Sequence, residues 1–163
     1  MMRVLFMFIL LMVALISCNY ENNRKTTAPT QQITGEWSSL SIKVDIQSKN
    51  NTDSNQLFEV DRVNWEEVLK IKPIRTFFRA DSTWNSAHYD LNDSLVYNPS
   101  GKWWIENEKL VMQQMLPSLD TTVYALLIIK NTASFECLLD WDMDGKKDDK
   151  YYGTQVKIKS DRR

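Results

Sequence analysis

From Ile33 onward the chain alternates apolar and polar positions. Leu40, Ile42, Val44 and Ile46 take turns with Ser39, Ser41, Lys43 and Asp45. Successive side chains on a strand point to opposite faces, so this segment predicts a half-buried strand. Ser48 to Gln56 is polar and rich in Asn, and reads as a loop. Trp65, Val68 and Leu69 then fall at helical spacing, with Asn64 placed to cap a short helix and Pro73 to end it. Alternation returns at Ile74. It predicts strands over 74–79, 83–90, 94–97, 102–106, 110–115, 121–130, 133–141 and 150–159. Asn98-Pro99-Ser100-Gly101 is the strongest turn signal among them. The tandem Trp103-Trp104 cannot place both rings on one face. Short strands at regular spacing with one short helix predict an all-β domain. Its expected form is an antiparallel up-and-down barrel, or half-open barrel, of about eight strands.

The pattern before Ile33 is different. Val4 to Ile16 is thirteen apolar residues without a break, preceded by Arg3. As a helix this run rises about 20 Å, short of a hydrocarbon core of roughly 30 Å, so it reads as a signal-peptide hydrophobic region. It ends in Leu15-Ile16-Ser17-Cys18, which resembles the lipobox of bacterial lipoproteins. The resemblance implies cleavage before Cys18, a diacylglyceryl thioether on its sulfur, and acylation of the new amine by a chain such as palmitate. Each buried CH₂ contributes about 0.8 kcal/mol, so several chains would hold the protein at a membrane. The implied location is the outer membrane, facing the periplasm or the cell surface. Asn19 to Gln32 is polar and aperiodic and reads as a tether. The expected organisation is therefore a signal peptide over 1–17, lipidated Cys18 and tether over 18–32, and a β domain over 33–163.

Composition narrows the function classes. Without residues 1–17 the chain carries 19 basic and 21 acidic side chains, so no basic excess favours nucleic acid. Size fits one domain, expected to be a monomer. Cys137 is the only cysteine besides Cys18, which excludes a disulfide framework, and its apolar run Phe135 to Leu139 points to a buried, inert thiol. Six tryptophans supply large apolar surfaces for a core or a ligand.

Three segments resemble lipocalin-like domains. Ile33-Thr34-Gly35-Glu36-Trp37 is similar to the Gly-x-Trp that opens their first strand. Phe77-Phe78-Arg79-Ala80-Asp81-Ser82-Thr83-Trp84 is similar to the Phe-x-x-Asp-Gly-Thr-aromatic hairpin of bacterial lipocalin-like lipoproteins, with Ser82 in the Gly position. Ser100-Gly101-Lys102-Trp103-Trp104-Ile105 followed by Leu110 is similar to a later hairpin of the same group. The resemblance covers residues 33–160 and implies a barrel in which Trp37 closes one end.

Two candidate sites emerge. Alternation puts Trp84 and His88 on one strand face, where they would line a cavity for a small apolar ligand. Asp140, Asp142, Asp144 and Asp148, with the Lys146 carbonyl, have the spacing of a calcium loop. Alternate carboxylates in a tight turn converge on one point, and Ca²⁺ takes six to eight oxygens. Tyr151 stands where an EF-hand has its bidentate Glu, so a different cage using Asp149 is also open, as is a plain hairpin turn. Ca²⁺ is the one cofactor the sequence suggests. His88 is the sole histidine, and no nucleophile elbow or phosphate loop occurs, so an enzyme is not expected. The main expectation is a membrane-anchored lipocalin-like module binding a small apolar ligand. The alternative is a structural or interaction lipoprotein of an envelope complex with no internal ligand.

Overall fold

The computed structural model describes residues 32–49, 52 and 54–158. The expected signal segment and Cys18 lie outside the described residues. The elements are β1 (Gly35–Ile46), β2 (Gln56–Val60), α1 (Trp65–Leu69), β3 (Arg75–Phe78), β4 (Thr83–Tyr89), β5 (Leu95–Tyr97), β6 (Ser100–Glu106), β7 (Lys109–Leu116), β8 (Asp120–Ile129), β9 (Thr132–Leu139) and β10 (Asp149–Lys157).

Eight of these strands close an antiparallel barrel in the order β1-β3-β4-β6-β7-β8-β9-β10, and β10 returns to β1. Closure removes the free sheet edges that an open meander would expose. The two remaining strands are attached segments. β2 pairs with Ile42–Ile46 of β1, while β3 takes Gly35–Ser38 of the same strand. The sequence pattern did not mark β2, because Leu57-Phe58-Glu59-Val60 is short and adjoins a polar loop.

The turn expected at Asn98–Gly101 is absent. β5 and β6 run along the same partner, with His88 opposite Tyr97 and Asn85 opposite Ser100. Asn98-Pro99 interrupts one strand rather than reversing the chain, and Ser86 N–H still donates to the Pro99 carbonyl at 2.9 Å. The reversal is made earlier, at 90–94. There the Asp90 carboxylate accepts from Asn92 and Ser94 N–H at 2.9 and 2.8 Å, and Asp93 adopts φ 67°.

Alternation along β1 slips once. Trp37 and Ile42 differ in parity, yet both are buried. A bulge between Ser39 and Ser41 adds the extra residue that turns both inward. The strand thereby serves two clusters. Ile33, Trp37, Phe78, Trp103 and Leu110 fill one end of the barrel. Ile42, Val44, Ile46 and Val60 pack against Trp65 of α1 at the other. Trp103 is 1% exposed and Trp104 38%, as the strand alternation requires.

α1 differs from expectation at its start. Asn64 provides no side-chain cap. Its Oδ1 instead accepts from Asp61 N–H at 2.8 Å, and Asp61 Oδ1 accepts from Val63 N–H at 2.8 Å. Lys70, at φ 57°, ends the helix by donating to the Glu66 carbonyl, three residues before Pro73.

The barrel wall is split on one side. β8 pairs with β9 only from Ala125–Ile129. Beyond that, Asp120–Tyr124 pairs with β7 alone and Cys137–Leu139 with β10 alone. An open cleft of about 930 Å³ lies between them, lined by Val123, Leu138 and Cys137 among others, with Lys147 reaching Asp120 at 3.2 Å.

Two glycines of the lipocalin-like motifs have steric reasons. Gly35 opens β1 at φ 130°, a region side chains with a Cβ rarely adopt. At Gly101 a Cβ would stand 1.9 Å from the Gln113 carbonyl oxygen. Gly101→Ala is therefore expected to lower stability by about 3 kcal/mol, read as a fall in the urea midpoint with an unchanged slope.

Candidate functional site

The inward faces of seven barrel strands, with Tyr97 of β5, leave a cavity of about 250 Å³ between the two clusters. Trp84 and His88 both line it, as their shared parity on β4 requires. Trp84 is buried, and its indole N–H donates to the Lys102 carbonyl at 3.1 Å. His88 stands nearer the surface, edge-on to Tyr97 at 5.1 Å between ring centroids. Tyr97 is 42% exposed, so the cavity reaches solvent beside these two rings.

One wall is aromatic and the other polar. Tyr124 packs edge-to-face on Phe135 and Tyr151. Burial pushes both tyrosine hydroxyls well above their usual range, and Cys137 nearby adds to it, so neither ionises near neutrality. Across from them, Thr76 and Ser86 share a hydrogen bond of 2.9 Å, and Gln155 Nε2 donates to Thr76 Oγ1 at 3.4 Å. Gln155 Oε1 is shut off from solvent and accepts no hydrogen bond from the described residues. A buried acceptor without a donor costs about 1–3 kcal/mol, so this wall favours a guest that brings a donor. The cavity is thus more polar than the apolar pocket the sequence suggested. Thr76, Ser86 and Gln155 were not singled out from the sequence; small polar residues at inward parity were the only available signal.

Among the described residues, no carboxylate, lysine or thiol lines this cavity. The Cys137 thiol lies on the cleft between β8 and β9 instead, and burial, reinforced by Glu136, pushes it up to about 12. It is therefore an unreactive thiol at neutral pH.

The acidic loop lies at the β9–β10 connection. Asp140, Asp142 and Asp149 bring carboxylate oxygens within 4.8 Å of one another. Asp149 is fully buried; its Oδ1 accepts from Gln47 N–H at 2.9 Å and its Oδ2 from Trp141 N–H at 2.6 Å. Those bonds pull the first residue of β10 inward and tie the loop to the end of β1. Two expected ligands, Asp140 and Asp142, belong to this group. Asp144 and Asp148 do not, and Asp149 joins in their place. The Asp144 side chain is buried; its Oδ1 accepts from Lys146 N–H at 2.9 Å, with Lys146 Nζ 3.9 Å from Oδ2.

Comparison of the sequence with protein-family models finds no match, and no curated protein matches it.

The His88 imidazole is held below its usual 6.5 by burial. As pH falls, the unfolded chain binds the proton first, so His88 costs stability below about pH 6.5 and nothing well above it. Wild type is expected to lose more of its urea midpoint than His88→Gln between pH 7.5 and 5.5. Equal losses would show that His88 titrates normally.

Proposed function

We propose that the domain is a lipocalin-like binding module that holds a small uncharged ligand with one polar group, and that Cys18 anchors it to a membrane as a lipoprotein. The observation that carries the ligand reading is the cavity itself. It combines aromatic rings with an acceptor, Gln155 Oε1, that has no donor among the described residues. The volume of about 250 Å³ suits a single ring, since a cavity of roughly 150 Å³ holds benzene. Binding rather than turnover is favoured by the lining, whose one titratable group near neutrality, His88, is kept uncharged. Anchoring rests on the sequence around Cys18.

The test uses 4-fluorophenol followed by ¹⁹F NMR. It should bind the wild type with a submillimolar Kd. Ser86→Leu, which fills the cavity, should weaken it at least tenfold. Absence of binding would leave the structural-lipoprotein reading in its place. For the anchor, detergent phase partition of the expressed chain should follow Cys18, with Cys18→Ala moving the protein to the aqueous phase. Equal partition of the two chains would remove the lipoprotein assignment.

A further inference from the structure

β8 is apolar on both faces. Residues 123–129 run Val-Tyr-Ala-Leu-Leu-Ile-Ile, with no charged side chain. Such runs belong to strands covered on both sides. The inward side chains Tyr124, Leu126 and Ile128 do pack against the core. The outward ones stay open: Val123, Leu127 and Ile129 are 48%, 59% and 61% exposed. Trp104 and Val111 extend this face across β6 and β7, since Trp104 stands opposite Val111 and Val111 opposite Val123. On the other side, β9 turns Thr132, Ser134 and Glu136 outward, so the face ends there in a polar rim. β8 also outruns its neighbour. β7 begins at Lys109, opposite Ala125, so Leu126–Ile129 project past the β6–β7 turn.

A contiguous bare apolar face marks a contact surface, and its position in the fold identifies the partner. The Asn131 carbonyl, at the tip of the β8–β9 hairpin, accepts from Lys157 N–H at 2.7 Å. Lys157 Nζ in turn donates to the Gln32 carbonyl at 2.7 Å. The hairpin tip therefore sits beside the point where the chain leads back toward Cys18. Residues 19–31 lie between. Drawn out fully they span at most about 45 Å. A lipid anchor on Cys18 would thus present this end of the barrel to the bilayer, and the acidic-loop end away from it. We propose that the outer face of β8, with Trp104 beside it, rests on the lipid surface to which Cys18 is anchored. The contact requires the Cys18 anchor proposed above. Leu127 and Ile129 enter the boundary between headgroups and acyl chains. Trp104 sits at headgroup level, an apolar ring whose indole N–H reaches Glu106 Oε2 at 3.4 Å. Lys109 and Lys130, both exposed, flank the projecting segment and can reach lipid phosphates.

The test places the full chain, expressed with its lipid, in vesicles of phosphatidylethanolamine and phosphatidylglycerol, and puts a nitrobenzoxadiazole dye on an introduced cysteine. Buried Cys137 takes no dye, since burial pushes its thiol up to about 12. Dye at Leu127→Cys should lose emission at least twofold when the vesicles carry nitroxide-labelled lipid. Dye at Met143→Cys, 88% exposed on the loop at the opposite end, should lose none. Ile129→Asp should cut the quenching at Leu127→Cys at least twofold. Equal responses of the two dyes would overturn the docking, as would quenching that Ile129→Asp leaves undiminished. A blue-shifted Leu127→Cys dye that lipid nitroxide does not quench would place a second copy of the chain on this face and overturn it too. The parent chain, without an added cysteine, should take up no dye, because a thioether blocks the Cys18 sulfur. Labelling of Cys18 there would show that the anchor itself has failed, and the docking with it. Failure of the docking alone appears only where the parent stays unlabelled.

Discussion

Three buried indoles at one end of the barrel hold the structure together. Trp37 Nε1 donates to the Ile33 carbonyl at 2.6 Å, Trp84 to Lys102, and Trp103 to the Arg79 and Thr83 carbonyls at 3.2 and 3.1 Å. Each ring fills the interior, and each N–H donates to a main-chain carbonyl. The β3–β4 turn, the β4–β6 pairing and the entry to β1 are thereby fixed against one another. Lys157 completes this end, its ammonium 5.1 Å over the Trp37 ring and its Nζ on the Gln32 carbonyl at 2.7 Å.

The cavity follows from that closure. The bulge in β1 lets a single strand feed the tryptophan cluster and then the Val44–Trp65 cluster. Between the two the inward positions are Ser39, Thr76, Ser86 and Gln155, too small or too polar to fill the space. A solid core would need apolar bulk there, since well-packed interiors leave few voids larger than a water molecule. The wall opposite is rigid because Tyr124, Phe135 and Tyr151 brace one another edge to face.

At the far end the chain is tied by polar groups instead. Asp149 bridges the end of β1 and the loop after β9, while α1 covers the β1–β2 side with Trp65. The division places the tryptophan cluster where the domain begins and the acidic loop, tied by Asp149, at the opposite end.

Local pattern alone determined the strand class, the shared face of Trp84 and His88, and the split roles of Trp103 and Trp104. These follow from period two, which depends only on neighbours in the chain. Tertiary structure decided what depends on partners distant in sequence. Pro99 looked like a turn because its own backbone favours one, yet Ser86 N–H of β4 donates to its carbonyl and keeps the strand going. Leu40 looked like core because it shares parity with Ile42, but the bulge beside it changes which face that parity denotes. Asp149 replaced Asp144 and Asp148 in the carboxylate group because Gln47, 102 positions away in sequence, orients it. Spacing along one loop carries no information about such a donor, since the hydrogen bond exists only once the barrel has closed.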